Sequence, residues 1–217
     1  METTKKTKEM DMLNGGLAGK LILFSIPLAF SSILQQLFNS ADVAVVGRFA
    51  GDRALAAVGS CVALVGIFVN LIVGFSVGPN AVLANLIGQK RRDKINRMLH
   101  TIMAFGLIAG VILMGLGMLS AKPILEVSGT PESVMNEALL YIRIYFIGIP
   151  FMMIYNFGSA VLRSFVDTRR PMYYLILSGT VNVIFNLNLV ICFKLGVVGV
   201  AIASVISKLL SSGLVLI

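Results

Sequence analysis

Four polar residues, Ser32, Gln35, Asn39 and Asp42, interrupt an apolar stretch in steps of three, four and three. That spacing keeps their side chains on one face of a helix. Asp42 ends the stripe with a carboxylate inside the apolar run. An acid within a membrane span is expensive and normally faces protein or a water-filled cavity. Asp42 is therefore a candidate cation or proton site. A second polar face, Ser178, Asn182 and Asn186, recurs in steps of four. Asparagines in hydrocarbon are costly unless paired. This face either glues helices together by hydrogen bonds or supplies cation ligands. Ser204 and Lys208 stand one helical turn apart further on. A carboxylate with amide and hydroxyl oxygens suits a hard cation such as sodium. It suits a proton equally.

The elements that must hold these residues are helices in a bilayer. Hydrophobic residues make up 57% of the 217, charged residues only 13%, and the mean hydropathy is +0.92. A soluble domain is about half apolar and a quarter charged. A spanning helix needs about 20 mostly apolar residues. Six runs qualify, at about 18–46, 55–83, 98–120, 136–162, 172–193 and 197–217. They leave a polar tail over 1–16, then a six-helix transmembrane region over 17–217. The expected class is an all-α membrane protein, with membrane lipid as its surroundings.

A net charge of +8 raises the question of nucleic acid. The placement of the charges answers it. Lys5, Lys6, Lys8, Lys20, Lys90, Arg91, Arg92, Lys94, Arg97, Arg163, Arg169 and Arg170 fall on one side of the six runs. Arg48, Arg53, Lys122 and Lys194 fall on the other. The excess of cations belongs in the cytoplasm. The tail and the loops near 90 and 167 are expected there, in a cell (plasma or inner) membrane, with no nucleic-acid partner.

Enzyme chemistry finds little support. The chain lacks a GxxxxGK[ST] phosphate loop and an HExxH zinc motif. Its single histidine, His100, falls near the start of the third run, where an interfacial, structural role is expected. An intramembrane protease needs paired aspartates, a Ser–His pair or a metal set. No cofactor is expected beyond a coupling ion. Cys61 and Cys192 lie in apolar runs and read as small hydrophobes.

Other residues shape the bundle. Pro27 inside the first run removes one helical hydrogen bond, giving a static kink or a hinge. Gly74 and Gly78 form a small-xxx-small pair for close helix packing. Arg143 stands within about two turns of a boundary and can snorkel to the interface. Lys208 lies deeper, where it either snorkels or pairs with a carbonyl. Asn156 shares the fourth run with Pro150 and Tyr155. The chain ends at Ile217 inside the sixth run, which suggests a fragment.

Taken in order, several stretches resemble the multidrug and toxic compound extrusion (MATE) transporter family. Asn39-Ser40-Ala41-Asp42, followed by Gly47-Arg48, resembles the end of that family's first helix. Ala54-Leu55-Ala56-Ala57-Val58-Gly59 resembles the start of its second helix. Gly74-Phe75-Ser76-Val77-Gly78, then Ile87-Gly88, resembles the glycine-rich end of that helix. Arg163 and Asp167-Thr168-Arg169-Arg170-Pro171 resemble the loop after the fourth, and Gly196 to Ala203 the opening of the sixth. Each is weak alone, and their order gives them weight.

The resemblance covers the chain from about Gly19 but only half of a family member. It implies one six-helix lobe of a twelve-helix transporter. The partner would be a second lobe, as a C-terminal half or as a second copy in a homodimer. It implies antiport: export of small organic, often cationic, drugs or toxic compounds against sodium ions or protons. By the resemblance, Asp42, Asn182, Asn186 and Ser204 would form the coupling site, with sodium placed at Asp42, Asn182 and Asn186. From the residues themselves, Gln35, Asn39 and Asn156 are candidates to line the substrate cavity, and Pro27 is a candidate hinge. Asn186 and Ser204 stand where the family usually has Asp and Thr. Val166 replaces a usual Gly, and Pro79 is a further departure. Two other readings stay open: a lipid-linked oligosaccharide flippase of the same superfamily, and an inactive fragment or membrane scaffold. The flippase would want several cavity cations, and only Arg143 and Lys208 are on offer.

Overall fold

A computed structural model describes residues 17–89 and 91–217. The tail over 1–16 and Lys90 lie outside the described residues. Seven α-helices follow in order: α1 Leu17–Phe49, α2 Asp52–Gly88, α3 Arg92–Val127, α4 Glu132–Ile147, α5 Ile149–Ser164, α6 Arg169–Leu187 and α7 Gly196–Val215. A π-helical turn, Asn188–Cys192, extends α6. Five spans are long and apolar enough to cross a membrane, and α4 with α5 makes a sixth, bent by 43°.

The helices outrun the apolar stretches that predict them. α3 covers Arg92–Val127 where the apolar run suggests 98–120. Polar residues continue the backbone ladder past the apolar runs, and at two of the outer turns a glycine with positive φ breaks it. Gly51 at φ 87 separates α1 from α2, and Gly129 at φ 73 separates α3 from α4. Without a Cβ, glycine enters this left-handed region at little steric cost.

The two prolines at Ile-Pro steps behave differently. Pro27 lies within an unbroken α1, where the Ser31 hydroxyl donates to its carbonyl at 2.7 Å. Pro150 instead sits at the first turn of α5, just after the break at Gly148. There its missing N–H falls where a helix start has no internal partner anyway. Gly110 of α3 faces this corner, and a Cβ on it would come within 2.7 Å of the Pro150 Cα. The bent span can therefore lie directly against α3.

α5 ends in a Schellman closure. Val166 N–H donates to the Arg163 carbonyl at 2.9 Å and Asp167 N–H to the Leu162 carbonyl at 3.0 Å. This closure needs a left-handed residue, usually glycine. Val166 fills it at φ 64. A β-branched residue there is strained. Asp167 Oδ1 then accepts from the backbone N–H groups of Arg169 and Arg170, both at 3.2 Å, and opens α6.

The core lies between α2, α3, the α4–α5 span and α7. Leu64, Ile72, Phe146, Ile149, Met153 and Phe157 are fully enclosed there. Phe68 and Phe146 rings meet with centroids 4.8 Å apart. In lipid such packing works by dispersion and shape rather than by escape from water. Outside this core, Ile22, Ile26, Ile33 and Leu37 of α1 are exposed and apolar, as a helix bordering hydrocarbon requires. α1 meets α6 where Gly179 leaves room for the Phe38 ring, which a Cβ there would strike at 2.0 Å. That close approach sets the polar faces of the two helices beside each other.

Candidate functional site

A cavity of about 800 Å³, with polar groups set in a largely apolar lining, opens between α1, α2, the bent α4–α5 span, α6 and α7. α1 contributes Gln35, Asn39 and Asp42 to its lining, and Asn156 comes from α5. α6 contributes Ser178 and Asn182, and α7 contributes Ser204, Ser207, Lys208 and Ser211. Val58, Val62, Val65 and Val69 of α2 give an apolar wall.

Asp42 is held from two helices. Asn186 Nδ2 of α6 donates to Asp42 Oδ1. Ser204 Oγ of α7 donates to Asp42 Oδ2 at a longer 3.4 Å. Three of the four predicted coupling residues thus meet at one carboxylate, and Asn182 lines the same cavity one turn from Asn186. The carboxamide oxygens of both asparagines are buried and, among the described residues, have no hydrogen-bond donor. A buried acceptor without a donor is costly. Asn186 turns its amide nitrogen, not its oxygen, to Asp42, so the site offers a hard cation the carboxylate at once and an amide oxygen only if that carboxamide turns over.

Other expected residues divide. Gln35 and Asn39 stay on the cavity face. Ser32 fits the spacing but is exposed, is absent from the lining, and donates to the Leu28 carbonyl at 3.2 Å. Asn156 is buried and donates to the Met152 carbonyl at 2.8 Å, leaving its oxygen free. Pro27 is not among the lining residues. Arg143 and His100 are exposed, and Arg143 is also outside the lining. Glu137, at the start of the fourth apolar run and in the N-terminal half of α4, sits 4.0 Å from Arg53 in the first turn of α2. It is remote from the Asp42 cluster in role, since the cavity does not include it.

Lys208 corrects the sequence reading. It neither snorkels nor caps a carbonyl. Its ammonium is buried, has no hydrogen-bond partner among the described residues, and lies 3.1 Å from the centroid of the Tyr145 ring. The expectation missed Tyr141, Tyr145 and Tyr155 as well, which line the cavity. Tyr155 Oη donates to the Pro171 carbonyl at 3.0 Å and ties α5 to the start of α6. A signal for the α7 wall exists in the sequence. Ser204, Ser207, Lys208 and Ser211 repeat in steps of three, one and three, a single helical stripe.

Fold and cavity together define a membrane-embedded helical lobe built around a half-buried acid. The chain belongs to the MatE family, whose model matches residues 27–188. It is 32% identical to the probable multidrug resistance protein YoeA of Bacillus subtilis, over 86% of this chain and 41% of that protein. It is 30% identical to the probable multidrug resistance protein YpnP of the same organism, over 93% of this chain and 45% of that one. A crystal structure of MATE in the bent conformation matches with a TM-score of 0.89 at 25% identity, covering 97% of this chain and 47% of that chain. The chain spans about half the length of the curated relatives it matches.

Proposed function

We propose that this lobe serves a secondary antiporter that exports organic compounds, cationic ones among them, in exchange for sodium ions or protons. The observation that carries the reading is the Asp42 carboxylate, gripped by Asn186 and Ser204 at the wall of a large cavity. An ion arriving at Asp42 competes with those two hydrogen bonds. The bonds join α1 to α6 and α7, so loading the acid changes how the three helices are tied. That is how one site can bias a bundle between two arrangements. Asn182 and Asn186 would supply the neutral oxygens, and Gln35, Asn39 and Asn156 would face the cargo. The second lobe would close the pathway. The cation supply argues against the flippase reading in this lobe, since Arg143 lies outside the cavity and leaves Lys208 as its cation.

The test is efflux of a fluorescent cation from cells expressing the complete reading frame, wild type beside Asp42→Asn, with and without sodium. Loss of efflux in the variant is expected, and the sodium dependence of the wild type names the ion. Undiminished efflux in Asp42→Asn removes the coupling role from this residue.

A further inference from the structure

The cavity holds a cation as well as an acid, and the antiport reading makes no use of it. Lys208 projects from α7 one turn beyond Ser204, the residue bonded to Asp42. Lys208 and Asp42 line the same cavity from α7 and α1, so opposite charges face one space. The two are not joined: the ion pairs among the described residues are Arg53–Glu137, Lys122–Glu126 and Arg170–Asp167. The Tyr145 ring holds the ammonium by a cation–π contact, which takes up part of its N–H capacity and leaves the rest of its three donors without an oxygen acceptor. Among the described residues the buried ammonium has no acceptor. The neighbouring serines offer no anion-binding hydrogens, because Ser207 donates to the Ser204 carbonyl at 2.9 Å and Ser211 to the Lys208 carbonyl at 3.0 Å. The position is also built for. Gly148, at the break between α4 and α5, accommodates the lysine stem, and a Cβ there would stand 2.9 Å from Lys208 Cδ. An ionisable group inside a span that faces a cavity and lacks a partner marks a ligand site by default.

We infer that Lys208 is a specificity residue that binds an anionic oxygen of the cargo, so that the cavity accepts zwitterionic organic molecules whose cationic or aromatic body lies toward Asp42. The inference rests on the antiport reading for the existence of a cargo and adds its charge pattern. Rhodamine 110 and rhodamine 123 form a matched pair of probes, since the second is the methyl ester of the first and lacks its free carboxylate. Binding of each is measured by fluorescence anisotropy on the purified protein from the complete reading frame, and transport in inverted membrane vesicles. Wild type is expected to bind the free acid more tightly than the ester. Lys208→Met should weaken binding of the free acid about tenfold, the effect of one charge-assisted hydrogen bond, and leave the ester almost unchanged. Lys208→Arg should retain the preference. Lys208→Gln serves in place of Met if the apolar variant does not accumulate. Equal loss of both probes, loss of neither, or a wild type that prefers the ester overturns the inference. If wild type binds the probes but transports neither, the export reading fails, while the binding preference still decides the role of Lys208.

Discussion

Asn186 donates from its carboxamide to Asp42 Oδ1, bridging α6 and α1 across 144 positions of sequence. A neutral amide here means that the acid is partnered even without an ion. With a second acid in its place, the two carboxylates would repel each other until a cation or proton arrived.

Asn186→Asp should therefore make the protein more dependent on sodium. The difference in melting temperature between sodium and choline buffers should widen relative to wild type. A bound ligand at 100 times its Kd adds about 2.7 kcal/mol, several degrees for a protein of this size. An unchanged difference would mean that Asp42 and position 186 do not share an ion.

Asn186→Leu leaves the Asp42 oxygen without its donor. A buried group orphaned in this way costs about 1–3 kcal/mol. The melting temperature should fall, and Asp42→Asn in the same background should restore part of the loss. A double-mutant cycle checks the coupling, and additive effects would contradict it.

Gly179 admits the Phe38 ring between α6 and α1. Gly179→Ala should cost about 1–3 kcal/mol by overpacking, read as a lowered melting temperature. Phe38→Leu should relieve it in the double variant. No relief would show that the helices give way elsewhere.

Val166 holds the left-handed position that closes α5. Val166→Gly removes a steric cost of about 1–2 kcal/mol, part of which is offset by the added freedom of the unfolded chain. A melting temperature raised by about 2–4 °C is expected, with efflux unchanged because the turn is not among the lining residues.

Gly148→Val should push on the Lys208 stem from the α4–α5 break. It is expected to reproduce the loss of free-acid binding seen on changing Lys208 itself, with the ester spared. Retention of free-acid binding would show that the stem has another route into the cavity.

Much of this was legible in the chain because polar residues in apolar runs announce themselves. Asp42, Asn182, Asn186 and Ser204 each stand out against hydrocarbon, and helical periodicity puts each on a definable face. That three of them meet at one carboxylate is a tertiary fact, fixed by packing such as Phe38 against Gly179. Ser32 shows the limit of periodicity. It keeps the spacing, but the cavity does not reach its end of the helix. Lys208 shows another limit. A long cationic side chain inside a span reads as a snorkel or a carbonyl partner, and nothing local reveals that Gly148 and Tyr145 would enclose it. The unlike fates of Pro27 and Pro150 have a similar origin. The same Ile-Pro step leaves α1 unbroken, while the glycine before it lets the fourth span break.

One feature of the cavity wall sets its chemical sense. Ser178, Ser207 and Ser211 all aim their hydroxyl hydrogens at carbonyls of their own helices, at 3.2, 2.9 and 3.0 Å. A hydroxyl oriented in this way turns its lone pairs toward whatever lies beside it. The serine-lined stretches are thus Lewis-basic ground, receptive to the hydrogens of a guest, and the ammonium of Lys208 stands among them as a point of opposite character. Such a surface sorts its visitors by which end carries the hydrogens, and so gives an orientation to a guest that apolar walls alone would leave free to turn.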